Sequence, residues 1–135
     1  MPLVYNGQEA GLDKRLDFFE KDAIVWGDLK YEDFYRTLLH LNRRNQALWN
    51  GRFGGDISRI LTGNDLNIFA FTREKNDDKV LVVLNLSGET TDLMFETSGL
   101  DGEWMELFSG NKCRFPDHFT LQMKPWEYRV YERLK

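Results

Sequence analysis

The chain has 135 residues, of which 22 are acidic and 18 basic, and its net charge of −4 excludes the basic surface by which proteins track nucleic acid. Its 41% hydrophobic and 14% aromatic content is enough for a folded core and excludes wholesale disorder. No run reaches the roughly 20 apolar residues of a membrane span, and the first residues lack a signal-peptide pattern. Neither the single Cys113 nor the two histidines have metal-ligand spacing, so we expect no disulfide, metal or cofactor.

The first third of the chain predicts a strand, a loop and a helix. Residues 1–5 (MPLVY) are compatible with a short buried strand ending at the Asn6-Gly7 turn, and residues 11–27 predict an ordered loop. Over residues 31–49 the apolar side chains recur every three or four positions and predict one helix, which Asn50-Gly51 ends. The predicted inner stripe of this helix contains Phe34, Leu38, Leu41, Asn45 and Leu48.

After Gly51 the periodicity changes from helical to alternating. Turn residues separate seven short candidate strands with no helix between them, a pattern typical of an antiparallel β-sandwich. In one of them the run Val80 to Leu84 is apolar on both faces, which predicts a central strand. The predicted strands span residues 58–61, 67–73, 79–86, 91–95, 103–108, 119–123 and 127–133.

Several blocks of this sequence occur together, and in the same order, in one known family. Residues 2–11 (PLVYNGQEAG), which include Pro2, Tyr5, Gly7 and Glu9, are similar to the motif of that family's last barrel strand. Together the blocks resemble the C-terminal end of α-amylase-superfamily enzymes, glycoside hydrolase family 13. The blocks are PLVYNGQEAG, FFEKDAIVW, FYRTLLHLNRRNQAL, IFAFTRE and VLVVLNLS.

This resemblance implies a mainly β fold with two parts. Residues 1–50 correspond to the last strand, loop and helix of a (β/α)8 catalytic barrel, and residues 51–135 to a Greek-key β-sandwich called domain C. Such enzymes cleave or transfer α-glucosidic bonds with retention of configuration. Their three catalytic acids lie on the fourth, fifth and seventh barrel strands, upstream of residue 1. The resemblance therefore implies no catalytic residue in this chain, and the missing barrel is its expected partner.

The resemblance also suggests a position for three residues at the start of the chain. Tyr5, Gly7 and Glu9 follow the last barrel strand, and the carboxyl ends of barrel strands carry the active site. We therefore expect these three residues to lie near substrate in an intact barrel only.

The other ionisable residues would have to meet the requirements of retaining hydrolysis to be catalytic. Retaining hydrolysis needs two carboxyl groups roughly 5 Å apart, one of them with a raised pKa. The only dense acidic cluster also contains lysine and arginine, which favours solvated ion pairs. His40, His118 and Cys113 have no nucleophile or base signature nearby, so we expect packing or surface roles and an inert thiol. The acidic cluster consists of Glu9, Asp13, Asp17, Glu20 and Asp22.

Four aromatic residues near the C-terminus have two possible roles. Trp104, Trp126, Tyr128 and Tyr131 could stack on sugar rings, but core filling is the expected use in a small sandwich. Three functions follow for the chain: a stabilising domain of a glycosidase, a module that binds α-glucan, or an interaction protein. The last includes a homo-oligomer formed through the N-terminal strand or the helix, since an exposed apolar stripe promotes association.

Overall fold

The computed structural model describes residues 2–135, so Met1 of the predicted first strand lies outside the described residues. The chain forms two compact units, divided between Arg44 and Asn45. Each unit has its own internal contacts.

Within residues 2–44, the first unit has one regular element, the helix α1 (Glu32–Arg44). Residues 3–5 do not form the predicted strand; Leu3 and Tyr5 are exposed and Val4 is half-buried. The strand prediction was wrong because a strand needs a hydrogen-bonded neighbour, and residues 2–44 contain no other strand. The turn that follows is confirmed, with Gly7 at a φ of +86°.

Helix α1 confirms the predicted helical segment but ends five residues earlier than predicted. Leu41 is buried and Phe34 and Leu38 are half-buried, as the apolar stripe predicts. Asn45 has φ −102° and ψ 110°, which is extended backbone, so it does not continue the helix. Its side chain instead accepts a hydrogen bond from the Ala47 N–H at 3.1 Å and caps a short 3-10 turn, Gln46–Leu48.

The second unit is a two-sheet antiparallel structure, which confirms the predicted fold class. One sheet has six strands in the order β1-β2-β3-β8-β5-β6, and the other pairs β4 with β7. All seven predicted strands are present, and only the two-residue β6 was missed, because it is too short to show alternation. The strands are β1 (Ile57–Ile60), β2 (Ile68–Lys75), β3 (Asp78–Asn85), β4 (Thr91–Glu96), β5 (Trp104–Glu106), β6 (Lys112–Cys113), β7 (His118–Met123) and β8 (Tyr128–Arg133).

The core of the second unit lies between the two sheets. The predicted central strand β3 pairs with β2 on one side and with the last strand, β8, on the other. Its inward side chains Leu81 and Val83 are fully buried against residues of the small sheet, including Leu93 and Phe95. Burial of side chains of this size stabilises the fold by about 1.5–3 kcal/mol each. Their alternation with outward residues fixes the register of the sheet.

Candidate functional site

The three residues predicted to lie near substrate occupy one turn in the first unit. Tyr5 is exposed, and its N–H donates a 2.6 Å hydrogen bond to Oε1 of Gln8. Gly7 is buried, and a Cβ there would lie 2.9 Å from a methyl carbon of Leu12, so the turn has no room for a side chain. The turn therefore holds its neighbours at fixed positions, while the role of these residues near substrate stays a prediction.

Glu9 differs from the other residues of the acidic cluster. Its backbone carbonyl accepts a 2.8 Å hydrogen bond from the Tyr31 N–H, which ties the turn to the start of α1. Its carboxylate Oε2 is shielded from water and accepts no hydrogen bond within residues 2–135. A shielded carboxylate oxygen without a donor is unfavourable by about 1–3 kcal/mol or more.

In the rest of the acidic cluster of the first unit, Asp22 forms an ion pair. Asp22 is paired with Lys14, and its Oδ2 accepts a 3.0 Å hydrogen bond from the Asp17 N–H. The hydrogen bond from Lys14, with that from the Asp17 backbone, lowers the pKa of Asp22 below its usual range. A general acid needs the opposite shift. The structure therefore supports the ion-pair interpretation of this cluster.

The other candidate groups for catalysis do not form a reactive constellation. Burial raises the pKa of the Cys113 thiol, and the negative charge of Glu106 raises it further, so the thiol is less acidic than usual. His118 begins β7, where its Nδ1 lies 2.8 Å from Oε1 of Glu96 on the paired strand β4. His40 is exposed on α1. Among residues 2–135, no group of three His, Cys, Asp or Glu side chains is arranged to hold a metal ion.

A polar cleft of about 620 Å³ lies at one end of the sandwich. Lys79 lines this cleft, and its ammonium donates to the Gly99 carbonyl at 2.6 Å and pairs with Glu74 at 2.7 Å. The hydrogen bond from Lys79 lowers the pKa of Glu74 more than partial burial raises it. The positive charge of Lys79 and the negative charge of Glu74 compensate each other, so the Lys79–Glu74 pair is a structural contact.

The four C-terminal aromatic residues divide into two buried and two exposed side chains. Trp104 is fully buried and its Nε1 donates to the Leu100 carbonyl at 2.9 Å; Tyr131 is 7% exposed. Burial raises the pKa of Tyr131 to about 12. These two fill the core, as expected, and are excluded as sugar platforms. Trp126, at 66% exposure, and Tyr128 remain accessible, which contradicts the expectation that all four fill the core.

Sequence reasoning missed the buried Asn85, which organises the loops around Trp126. Its Nδ2 donates to the carbonyls of Glu89 at 2.7 Å and Lys124 at 2.8 Å, and its Oδ1 accepts from the N–H and hydroxyl of Ser87. The residue lies at the end of a predicted strand before Ser87-Gly88. An asparagine there is ordinary turn chemistry, so the sequence gives no signal for its role.

No helix within residues 2–135 is long and apolar enough to cross a bilayer.

Comparisons with known proteins place these features in one family. Residues 58–130 match the family described as Maltogenic Amylase, C-terminal domain. Alpha-amylase 2 of Dictyoglomus thermophilum is 29% identical over 124 residues, which cover 82% of this chain and 20% of that protein. Neopullulanase 2 of Thermoactinomyces vulgaris is 26% identical over 132 residues, which cover 93% of this chain and 22% of the relative.

Solved structures show the same fold. The maltogenic α-amylase AmyB from Thermotoga neapolitana aligns with a TM-score of 0.76 at 20% identity, over 99% of this chain and 33% of that structure. An α-amylase from Geobacillus thermoleovorans aligns with a TM-score of 0.67 at 17% identity, over 95% of this chain and 28% of that structure. The chain thus spans about a fifth of the length of the curated relatives it matches. With more than half of its residues matching that family, the chain belongs to the maltogenic amylase C-terminal domain family.

Proposed function

We propose that this chain is the C-terminal part of an α-glucan-acting glycoside hydrolase of the α-amylase type, in which it has a structural role. In this proposal residues 1–50 complete the catalytic barrel and residues 51–135 form domain C. The names of the relatives support it, since they are an alpha-amylase, a neopullulanase and a cyclomaltodextrinase. The small share of each relative that the chain covers supports a catalytic region elsewhere.

The observation that carries the proposal is the exposure of apolar side chains in the first unit. Leu3, Phe18, Phe19 and Val25 are 82%, 89%, 91% and 77% exposed. Burying a Phe, Leu or Val side chain contributes about 1.5–3 kcal/mol, and a self-contained domain would use that energy. A catalytic barrel preceding these residues would cover them.

The carboxylate of Glu9 gives independent support for a missing neighbour. Its shielded Oε2 needs a donor that residues 2–135 do not supply. In the proposal, the rest of the barrel supplies this donor, and Tyr5, Gly7 and Glu9 lie close to the substrate. Glu9 is then held in place by its neighbours and is not one of the catalytic acids.

The placement of the catalytic acids outside this chain rests on the geometry of retaining hydrolysis. That reaction needs two facing carboxyl groups roughly 5 Å apart, one with a raised pKa. In the acidic cluster, Asp22 is paired with Lys14 and has a lowered pKa. In the cleft of the second unit, Glu74 is paired with Lys79 and is shifted in the same direction. Both shifts are opposite to the raised pKa that a general acid needs.

An activity assay tests this proposal. The purified 135-residue chain is incubated with maltoheptaose, and new reducing ends are measured against a buffer blank. We expect no cleavage above the blank. Turnover that disappears in a Glu9→Gln or Asp22→Asn variant would contradict the proposal, because it would place the catalytic acids in this chain.

A binding assay with a hydrophobic dye tests the exposed surface separately. Phe18→Ser combined with Phe19→Ser is expected to reduce dye fluorescence, since these rings contribute accessible apolar area. The control is Leu66→Ser, at an exposed residue of the second unit. Leu81→Ala would not serve as a control, because it opens the core. Equal fluorescence of all three proteins would argue against an apolar interface in the first unit.

Two further partners belong to this proposal. A homo-oligomer would bury the same exposed side chains near the N-terminus or on α1, where Leu39 is 40% exposed. Light scattering across a hundred-fold concentration range distinguishes it, since a constant monomer mass excludes self-association. The second partner is α-glucan itself; a structural neighbour, AmyP, is described as a complex with maltose.

A further inference from the structure

We propose that Trp126 is a platform for an α-glucan chain on the sandwich. This inference rests on the proposed function, because that function supplies the ligand class. The indole is 66% exposed, whereas Trp104 of the same unit is fully buried. A flat aromatic face complements the axial C–H groups of a glucopyranose ring, and contact between them removes apolar surface of both from water.

The backbone of Trp126 shows that this exposure has a cost. Its φ of +58° lies in the left-handed region, which bulky side chains rarely adopt. Residues 124–127 form a turn closed by the Glu127 N–H and the Lys124 carbonyl at 3.1 Å, with Pro125 in second position. Glycine is the usual residue after proline in such a turn. An unfavourable conformation at an exposed aromatic residue is a pointer to function.

The turn is held rigidly by its neighbours. The Trp126 N–H donates to the Ser87 carbonyl at 3.1 Å, and the Lys124 N–H donates to Oε2 of Glu127 at 2.7 Å. The buried Asn85 ties the Lys124 carbonyl to the opposite loop. Because the backbone of this turn is already ordered, ligand binding does not have to order it, which lowers the entropy cost of binding.

The surroundings of the indole suit a polyhydroxylated ligand. A Cβ on Gly88 would lie 4.0 Å from Nε1 of Trp126, so the polar edge of the ring lies against the loop backbone. Glu89, next to Gly88, and Lys124, in the turn, are exposed and carry hydrogen-bonding groups. An apolar ring with charged neighbours fits a sugar better than it fits the apolar surface of a second copy.

The test is a titration of the 135-residue chain with maltoheptaose, followed by tryptophan fluorescence and calorimetry. Trp126→Gly removes the ring and suits the positive φ, so the variant is expected to fold. We expect its affinity to fall roughly ten-fold or more, while Trp126→Tyr retains binding within a few-fold. Trp49→Phe, at a second exposed tryptophan of the same unit, is the matched control and should bind normally.

Two results would overturn the inference. One is the absence of binding by the parent chain at millimolar maltoheptaose, and the other is unchanged affinity of a folded Trp126→Gly variant. Neither result affects the proposed structural role, which depends on the absence of cleavage and on the exposed surface of the first unit. In the second case, a simultaneous loss of self-association by Trp126→Gly would identify a second copy as the occupant of this surface.

Discussion

At the scale of single residues, three side chains show two ways in which the interior of the sandwich accepts a polar group, through partners or through neutrality. Asn85 is 1% exposed and uses both amide donors and its carbonyl oxygen in loop contacts. The ammonium of Lys79 pairs with Glu74 and donates a hydrogen bond to the Gly99 carbonyl. Tyr131 takes the other route, since its buried phenol stays protonated.

Tyr131 predicts a loss of stability at alkaline pH. Burial raises its folded-state pKa to about 12, whereas the unfolded phenol ionises at about 10. Between these values the unfolded chain has released the proton and the folded chain still binds it, so stability falls as pH rises. The loss approaches about 2 kcal/mol near pH 12 and is absent below about pH 9.

Urea unfolding at pH 8, 10 and 11 measures this effect. Tyr131→Phe should lose less stability than the parent chain between pH 8 and pH 11. Tyr128→Phe, at an exposed tyrosine three residues earlier, should follow the parent chain. Parallel pH dependence of the parent chain and Tyr131→Phe would refute the assignment to this phenol.

At the scale of elements, the entry into β1 depends on a close approach of backbone to backbone. The Gly55 N–H donates to the Ala47 carbonyl at 3.0 Å, and the Gly55 carbonyl accepts from Nε of Arg73 at 2.8 Å. A Cβ on Gly55 would lie 2.2 Å from the Glu74 carbonyl oxygen of β2. Backbone atoms cannot move aside as a flexible side chain can, so only glycine fits.

Gly55→Ala is therefore expected to destabilise the second unit by about 1–3 kcal/mol, the usual cost of overpacking. Gly88→Ala is the matched control, because its Cβ would lie 4.0 Å from Nε1 of Trp126, an ordinary contact distance. Chemical denaturation of both variants measures the difference. Equal stability of the two variants would show that β1 can shift away from β2.

At the scale of the whole molecule, the two units differ in how much regular structure protects their backbones. In the second unit, β3 is paired on both sides and its inward residues are buried. In the first unit, residues 12–28 contain no helix or strand, and Phe18, Phe19 and Val25 are exposed. Local stability follows such differences in burial and hydrogen bonding.

Hydrogen exchange should reproduce this difference. Amides of residues 80–84 are expected to exchange only with global unfolding of the second unit, while those of residues 12–28 exchange at least about a hundred-fold faster. Mass spectrometry of peptides from both regions measures the rates at one pH and temperature. Comparable protection of the two regions would contradict the expectation and would indicate that the loop is stabilised in the isolated chain.

Most local elements of this protein could be predicted from its sequence, apart from the wrong strand at residues 1–5 and the missed β6. Alternation identified seven strands, because the side-chain period of a strand is visible without any neighbour. The run Val80 to Leu84, apolar on both faces, identified β3 as a central strand. The helical stripe identified α1 for the same reason. The resemblance to amylase C-terminal regions, carried by motif order along the chain, agrees with the matched family.

Which of two chemically similar residues lies in the core and which lies at the surface depends on the tertiary structure. Trp104 and Trp126 are the same residue type, yet one packs between two sheets and the other projects from a turn. Two further features depend on partners distant in sequence. Helix α1 ends early, at Arg44, and the next residue, Asn45, donates to Glu132. Asn85 organises its loops through Lys124. Periodicity records which way a side chain points along its own element, whereas burial depends on what the rest of the chain places opposite it.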